Sequence, residues 1–254
     1  MTKQIFPLAL GGLAIGTTEF IIMGLLPDVA KDLGVSIPIA GHLISAYAFG
    51  VVVGAPILVA LSSKFPPKNI LIVYMILFTL FNALSIIAPD YNTLLMSRFL
   101  AGLPHGAFFG VGTIVAIKLS KKGKEAQAVS SMFTGLTLAI LLLVPFLTYI
   151  GHNTSYKWAF LIVSLLGIFT ILALIKFMPK LKSLKTVTFK EEIEFFLTFK
   201  AWHIILIVAI GFGGLFAWFS YIAPLLINVS KFSPSSISYL MLVAGVGMVA
   251  GNIL

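Results

Sequence analysis

Two ionisable residues interrupt long apolar stretches of this 254-residue sequence, and they are the first candidates for chemistry. Glu19 lies inside the first apolar stretch, and Arg98 lies inside the fourth. A charged side chain facing lipid costs several kcal/mol, about 2.5–3.5 kcal/mol for arginine on insertion scales. We therefore expect both side chains to face an interior cavity or a polar partner.

Each of these two residues has a functional and a structural interpretation. Glu19 could load a proton or contact a cationic or hydroxylated substrate, or it could be a structural carboxylate capped by Thr17 or Thr18. Arg98 could control a nearby proton site or bind an anionic substrate group, or it could reach the outer membrane interface from a helix end. The sequence leaves open whether the two side chains touch.

A second group of candidates could line a substrate cavity. His105 could titrate near neutral pH, although a hydrogen-bonded structural histidine fits its position as well. The seventh apolar stretch carries an aromatic cluster that could line a pocket for a flat or apolar substrate or could simply pack. Its members are Phe212, Phe216, Trp218, Phe219 and Tyr221.

Glycines spaced four residues apart mark helix faces that a neighbouring backbone can approach closely. Gly102, Gly106 and Gly110 follow Arg98 at this spacing, and Gly50 and Gly54 repeat it in the second apolar stretch. Helix packing explains the spacing better than substrate contact does.

Several classes of chemistry have no support in the sequence. The phosphate-binding pattern Gly-x-x-x-x-Gly-Lys-Ser/Thr and the zinc pattern His-Glu-x-x-His are both absent. The chain has no cysteine, so it has no thiolate ligand or cysteine nucleophile. We therefore predict no cofactor, no metal site, no catalytic residue and no enzyme activity, which leaves an ion gradient as the energy source.

The elements that hold these residues are predicted to be membrane-spanning helices. Apolar residues make up 59% of the sequence and charged residues only 10%, well below the roughly 25% of soluble domains. The apolar stretches are about 20 residues long, which is the length of a spanning helix. We expect an all-α transmembrane bundle with helices at about 5–26, 39–61, 69–88, 93–117, 128–150, 158–178, 202–228 and 236–254.

The lysines predict how the bundle is oriented. Most of them fall in one set of loops, whereas the other set holds only Lys31, Lys157 and Lys231. The positive-inside rule places the lysine-rich loops and the N-terminus in the cytoplasm. The net charge of +9 is then a topology signal, and we predict no nucleic-acid partner.

The two ends of the chain resemble each other at an offset of 197 residues, which pairs Gly16 with Gly213, Pro27 with Pro224 and Gly50 with Gly247. Repeated halves are typical of transporter folds. We therefore predict a six-helix half at 1–178, a cytoplasmic linker with a surface amphipathic helix at 179–201, and two helices of an incomplete second half at 202–254. The expectation is a truncated chain of about eight of twelve helices, with a natural eight-helix protein as the alternative.

Several strings resemble one family. The run Gly16-Thr17-Thr18-Glu19-Phe20 resembles the first-helix motif of twelve-helix drug–proton antiporters in the major facilitator superfamily. The run Arg98-x-x-x-Gly102-x-x-x-Gly106 resembles the fourth-helix motif, whose arginine is linked to proton coupling. The strings GVVVGAPI (50–57) and PHGAFFGVG (104–112) are similar to bacterial arabinose-efflux permeases.

The chain departs from this family in two motifs. Between helices two and three, Ser63, Pro66 and Pro67 replace the Asp, Gly and Arg of the family, and only Lys64 and Lys68 keep the charge that gating would use. In the fifth helix, the antiporter motif keeps its proline, Pro145, without the surrounding glycines.

The resemblance implies inverted three-helix repeats and alternating access about a site near the membrane midplane. On this basis we expect proton-coupled efflux of a small sugar-like or amphipathic molecule through the bacterial inner membrane. Glu19 would load the proton, Arg98 would tune that site, and the aromatic cluster would line the cavity. The alternative is a membrane protein that binds or supports a partner without transport, including an inactive truncated product.

Overall fold

The computed structural model describes residues 3–62, 65–182, 194 and 197–253. Within these ranges the chain is a bundle of helices without a β-strand. The helices are α1 (Phe6–Asp32), α2 (Ile37–Ser62), α3 (Pro67–Ile87), α4 (Tyr91–Leu119), α5 (Glu125–Leu138), a π-helical segment (Ala139–Leu143), α6 (Val144–Asn153), α7 (Lys157–Phe177), α8 (Phe199–Ser220), α9 (Ile222–Asn228) and α10 (Ile237–Ile253).

Seven helices in the described part of the chain are long and apolar enough to cross a membrane, counting α5, the π-helical segment and α6 as one. The eighth predicted stretch is the shorter helix α10, with 17 residues. This arrangement confirms the predicted all-α transmembrane bundle.

Helix α1 is longer than the sequence indicated, because it continues through Pro27 to Asp32. A proline inside a helix removes one backbone hydrogen bond. The last turn nevertheless holds, since Val29 and Ala30 are buried in the core. Most of α1 is buried, so this helix forms the centre of the bundle around which the others pack.

The fifth span is not one regular helix. Its middle is the π-helical segment, which ends directly before α6, and Pro145 is the second residue of α6. Proline has no backbone N–H, and its ring crowds the preceding helical turn. Single π-helical turns inside α-helices occur often at functional sites. The predicted span at 128–150 is confirmed as a single span at Glu125–Asn153, and the π-helical segment in its middle is a feature that the sequence did not predict.

Helix α4, which carries Arg98, begins at a well-defined cap. The Asp90 carboxylate accepts a hydrogen bond from the backbone N–H of Thr93 at 2.9 Å. Together with the Thr93 hydroxyl, this hydrogen bond lowers the pKa of Asp90 below its ordinary value. The helix then runs without interruption through Pro104 to Leu119.

The predicted glycine seams of α2 and α4 face each other. A Cβ atom on Gly50 or Gly54 would collide with the backbone carbonyl oxygen of Phe99 or Leu103, and one on Gly102 would collide with the carbonyl oxygen of Tyr47. The two backbones are therefore in direct contact.

The other two glycines of the predicted α4 stripe, Gly106 and Gly110, pack more loosely. A Cβ on Gly106 would lie 2.7 Å from the Cβ of Ala55, whereas one on Gly110 would meet only a side-chain methyl of Val59 at 3.7 Å. The seam thus ends one turn before Gly110.

At the end of the bundle that holds Lys68, Lys118 and Lys176, here called the lysine-rich end, Lys68 joins α3 to α7. Its ammonium donates hydrogen bonds to the carbonyl oxygens of Ile175 at 2.7 Å and Met178 at 2.6 Å. These are carbonyls at the C-terminus of α7, where a positive charge is favoured. Lys64 lies outside the described residues.

The connection after α7 is shorter than predicted, because α8 begins at Phe199 behind the cap residue Thr198. Most of the predicted surface helix at 179–201 falls on residues 183–193, 195 and 196, outside the described part of the chain. A further difference occurs at Tyr221, where the seventh predicted stretch divides into α8 and α9.

Candidate substrate and proton site

A cavity of about 470 Å³ lies between α1, α4, the fifth span, α8 and α10. Its size is within the range of small-molecule sites, and its walls are mainly apolar with a few polar groups. The lining residues are Glu19, Phe20, His105, Leu136, Thr137, Ile140, Phe212, Leu215, Phe216, Phe219, Gly245 and Met248.

Glu19 lies on the wall of this cavity and is only partly buried. Its carboxylate has no hydrogen bond or ion pair with any residue that the structure describes. The neighbouring threonines do not cap it, because the Thr17 hydroxyl donates to the carbonyl oxygen of Leu13 at 2.7 Å and the Thr18 hydroxyl donates to the side chain of Asn82. The structural interpretation of Glu19 as a capped carboxylate is therefore wrong.

Arg98 is fully buried, so the alternative of a helix-end arginine at the membrane interface is also wrong. Nη1 donates a hydrogen bond to the Thr18 hydroxyl at 2.9 Å, and Nη2 donates to the Thr18 carbonyl oxygen at 3.0 Å. Nε has no partner among the described residues. The two hydrogen bonds hold α4 against α1 at the residue before Glu19.

Aromatic rings complete the environment of Arg98. Its Cζ lies 4.4 Å from the ring centroid of Tyr47 and 5.7 Å from that of Phe160. Within the described residues no carboxylate lies within 4 Å of the guanidinium. Cation–π contacts of this kind are strongest where water is excluded, so they offset part of the cost of burying the charge.

Tyr47 also connects Arg98 to the cavity. Its hydroxyl and Nδ1 of His105 form a hydrogen bond of 3.0 Å, in which either atom can be the donor. The ring of His105 packs beside Phe109, with centroids 5.3 Å apart, and lines the cavity. Arg98, Tyr47 and His105 therefore form a continuous set of contacts that ends at the same wall as Glu19.

The structure separates the predicted aromatic cluster into two groups. Phe212, Phe216 and Phe219 share the face of α8 that lines the cavity, and the latter two pack on Phe20 with centroids 5.8 and 6.0 Å apart. Trp218 and Tyr221 do not line the cavity.

The two aromatic residues outside the cavity face other surroundings. Trp218 is 47% exposed and Tyr221 is 39% exposed. The Tyr221 hydroxyl packs against Gly41 in α2 instead. Of the five members of the predicted aromatic cluster, therefore, three line the cavity, namely Phe212, Phe216 and Phe219.

Sequence reasoning missed the partners that complete the site. The sequence pattern offers Thr18 only as a cap for Glu19 and gives Tyr47 no role. Tyr47 lies three residues before Gly50 and therefore on the same face of α2, which packs against α4. This spacing is the signal in the sequence that places Tyr47 near α4. Ile140 lies in the π-helical segment, where Gly245 of α10 approaches its carbonyl oxygen.

The arrangement can bind a proton and an organic molecule at adjacent positions. The carboxylate of Glu19, which no described residue pairs with, can exchange a proton. His105 and Thr137 can form hydrogen bonds, and the aromatic wall can hold an apolar body. Among the described residues, no three His, Cys, Asp or Glu side chains are grouped closely enough to hold a metal ion.

A central cavity enclosed by membrane-spanning helices, with the Glu19 carboxylate on its wall and the buried Arg98 nearby, defines a polytopic membrane protein built around an internal cavity. The chain belongs to the Major Facilitator Superfamily, whose family model matches residues 8–254. The resemblance stated from the motifs is thereby confirmed.

Three curated relatives are similar along nearly the whole chain. The putative transporter AraJ of Escherichia coli is 40% identical over 254 residues, which is all of this chain and 64% of that protein. The inner membrane transport protein YdhP of the same organism is 42% identical over 97% of this chain and 64% of its own length. A probable sugar efflux transporter of Helicobacter pylori is 30% identical over 99% of this chain and 64% of its own length.

A solved structure has the same fold. The inward-facing, occupied form of a bacterial homologue of the human lysosomal transporter Spinster superposes with a TM-score of 0.78 at 15% identity, covering 98% of this chain and 60% of that one. The chain thus spans less than two thirds of the length of the relatives that it matches. Their names are those of transporters and not of enzymes.

Proposed function

We propose that the complete protein is a proton-coupled secondary transporter that exports a small sugar-like or amphipathic molecule. The observation that carries this proposal is the position of Glu19. Its carboxylate lies on the wall of the central cavity without a partner among the described residues, next to the residue that Arg98 binds. When a proton and a substrate bind in the same cavity, binding of one can weaken binding of the other. An antiporter requires this competition between its two ligands.

In the proposed cycle, Glu19 takes up a proton when the cavity faces the outside and releases it when the cavity faces the cytoplasm. The protonated acid carries no charge and is attracted less by Arg98 than the carboxylate is. Because Arg98 is fixed to Thr18 of α1, a change of charge on Glu19 acts at the contact of α1 and α4. Loss of the proton would favour the conformation that binds substrate.

The lining residues support an amphipathic substrate. Phe212, Phe216 and Phe219 offer an aromatic surface, and Glu19 and His105 offer hydrogen bonds to hydroxyl groups. The name of the Helicobacter pylori relative supports a sugar-like substrate in particular.

The domain and membrane assignments remain part of the proposal. We assign 1–178 to a six-helix half, 179–201 to a cytoplasmic linker and 202–254 to the first two helices of a second half. The name of the YdhP relative supports the inner membrane, and the distribution of lysines supports a cytoplasmic N-terminus.

We assign the remaining predicted residues to packing and gating. The close contact of α2 with α4 at Gly50, Gly54 and Gly102 would let these two helices move as one unit. Gly106 and Gly110 lie on the same face of α4 and would extend this contact. Lys68 would keep the cytoplasmic ends of α3 and α7 together, and we assign Lys64 to gating from its place in the sequence alone. Pro145 would keep the fifth span adaptable at the cavity.

The proposal is tested in inside-out membrane vesicles that contain the complete protein. Labelled sugars and amphipathic compounds are offered with and without an imposed pH gradient, acidic inside. We expect accumulation that depends on the gradient and stops when a protonophore removes it. Accumulation that is indifferent to the gradient would refute proton coupling.

A matched pair of variants tests the cavity itself. Phe216→Ala removes an aromatic side chain from the wall, whereas Trp218→Ala removes one from the same helix outside the cavity. We expect the first to raise the KM for transport about tenfold or more, since it removes a large buried contact surface. Equal effects of the two substitutions would show that the substrate does not bind in this cavity.

A further inference from the structure

A second cavity lies on the outer surface of the bundle, between the start of α1 and the second half of α7. Its volume is about 400 Å³. Every lining residue except Lys176 is apolar, and the groove is formed chiefly by Phe6 and Leu10 on one side and by Leu166, Phe169 and Ala173 on the other. Phe169 is 58% exposed, so the groove opens onto the surface that faces lipid in a membrane.

The length of the groove matches one leaflet of a bilayer. From Leu166 to Phe177 the helix rises about 16 Å at 1.5 Å per residue. Half of a hydrocarbon core of about 30 Å is about 15 Å. The groove therefore runs from the end of α7 to its middle, and its length is about that of one acyl chain in one leaflet.

Lys176 lies at the end of the groove, at the depth where a lipid headgroup would lie. Its ammonium is 5.4 Å from the ring centroid of Phe177, and that ring packs edge-to-face on Phe6 at 6.2 Å. No carboxylate among the described residues pairs with Lys176, and the exposed residues Lys180 and Lys182 follow it in the chain. The end of the groove thus carries positive charge that is not compensated within the described part of the molecule.

We infer that this groove binds one acyl chain of an anionic phospholipid, with the phosphate of the headgroup at the ammonium of Lys176. The apolar wall binds the chain of any lipid, and the lysine selects a headgroup with a net negative charge. Because the lysine-rich end is predicted to be cytoplasmic, the lipid belongs to the inner leaflet. The site is separate from the central cavity, so it does not depend on the proposed transport.

The test is native mass spectrometry of the purified chain, titrated with equimolar phosphatidylglycerol and phosphatidylethanolamine that carry the same acyl chains. We expect phosphatidylglycerol to be retained about fivefold more, the factor that one lysine near an anionic surface gives. Lys176→Gln should remove this preference. Lys157→Gln, the same change at the other end of α7, should leave it intact.

Two further measurements test whether the acyl chain contributes to binding as well as the headgroup. Ala173→Leu fills the floor of the groove and should lower the retention of both lipids. Glycerophosphoglycerol, which is the headgroup without acyl chains, should not displace phosphatidylglycerol at equal concentration.

Three results would overturn the inference. They are an unchanged preference in Lys176→Gln, an equal loss in Lys157→Gln, and displacement by the headgroup alone, which would indicate a site for free phosphate esters. If Ala173→Leu cannot be purified, the lipid preference of Lys176→Gln, a change at an exposed position, decides between the outcomes.

Discussion

The guanidinium of Arg98 in α4 binds Thr18 in α1 at two points, the hydroxyl at 2.9 Å and the backbone carbonyl oxygen at 3.0 Å. The same hydroxyl donates to Asn82 in α3, so one threonine joins three helices. This contact fixes the position of the buried positive charge relative to Glu19, the next residue of α1.

Thr18→Val tests how much this contact contributes to the free energy of unfolding. The substitution preserves the shape of the side chain but removes the hydroxyl that accepts from Nη1 of Arg98 and donates to Oδ1 of Asn82. Nδ2 of Asn82 keeps its hydrogen bond to the carbonyl oxygen of Phe78. We expect the free energy of unfolding to fall by about 2–3 kcal/mol, because one of the lost hydrogen bonds involves a buried charge. The measurement is unfolding of the purified protein in mixed detergent micelles.

Thr134→Val is the matched control for this change. Its hydroxyl donates only to the carbonyl oxygen of Ser130, and the side chain is exposed. We expect an effect within about 0.5 kcal/mol, as for other surface substitutions. A loss of similar size in both variants would contradict the role of Thr18 as a junction.

Gly54→Ala tests the contact of α2 with α4. The added methyl group would meet the carbonyl oxygen of Leu103, which is backbone and cannot rotate away. We expect a loss of about 1–3 kcal/mol in the free energy of unfolding, the usual cost of overpacking. Gly110→Ala has room for its methyl group, so it should be neutral or slightly stabilising through helix propensity. Equal thermal denaturation midpoints for the two variants would argue against a close seam.

Lys68→Gln tests the junction between α3 and α7. The substitution removes an ammonium that binds the carbonyl oxygens of Ile175 and Met178. Because the site is partly exposed, we expect a loss of about 1–2 kcal/mol in the free energy of unfolding. Lys122→Gln changes the same charge in an exposed loop and should have little effect. If the free energy of unfolding is the same in both variants, the two hydrogen bonds of Lys68 do not stabilise the fold beyond the effect of its charge.

Two substitutions at Tyr47 separate its ring from its hydroxyl. Tyr47→Phe keeps the ring over Arg98 and loses only the hydrogen bond to His105, so we expect a loss of about 1 kcal/mol. Tyr47→Leu loses the ring as well and should cost about 2 kcal/mol more, the strength of a desolvated cation–π contact. Equal thermal stability of the two variants would mean that the ring does not stabilise the arginine.

The sequence predicted the features that repeat along one helix. The four-residue spacing of Gly50 and Gly102 with their neighbouring glycines identifies a helix face without reference to its partner, and the two backbones meet closely at both positions. The spanning helices were found for a similar reason, since an apolar stretch of about 20 residues has few alternatives.

The sequence did not predict features that depend on how two helices are rotated against each other. Helix α8 is apolar on all sides, so nothing in the sequence distinguishes Phe216, which lines the cavity, from Trp218, which does not. The partner of Arg98 is Thr18, 80 positions away. Local spacing carries no information about such a pair. The π-helical segment before Pro145 likewise lies against a distant part of the chain, since Gly245 of α10 approaches the carbonyl oxygen of Ile140.

The most direct test of the central claim is Glu19→Gln in the complete protein, reconstituted in liposomes. Substrate accumulation driven by a pH gradient is compared with exchange of substrate at equal pH on both sides. Glutamine keeps the shape of the side chain but cannot exchange a proton, so we predict that gradient-driven accumulation is lost while exchange continues. Glu125→Gln, at the start of α5, should retain both activities. Gradient-driven accumulation at the wild-type level in Glu19→Gln would contradict the account, because another group would then carry the proton.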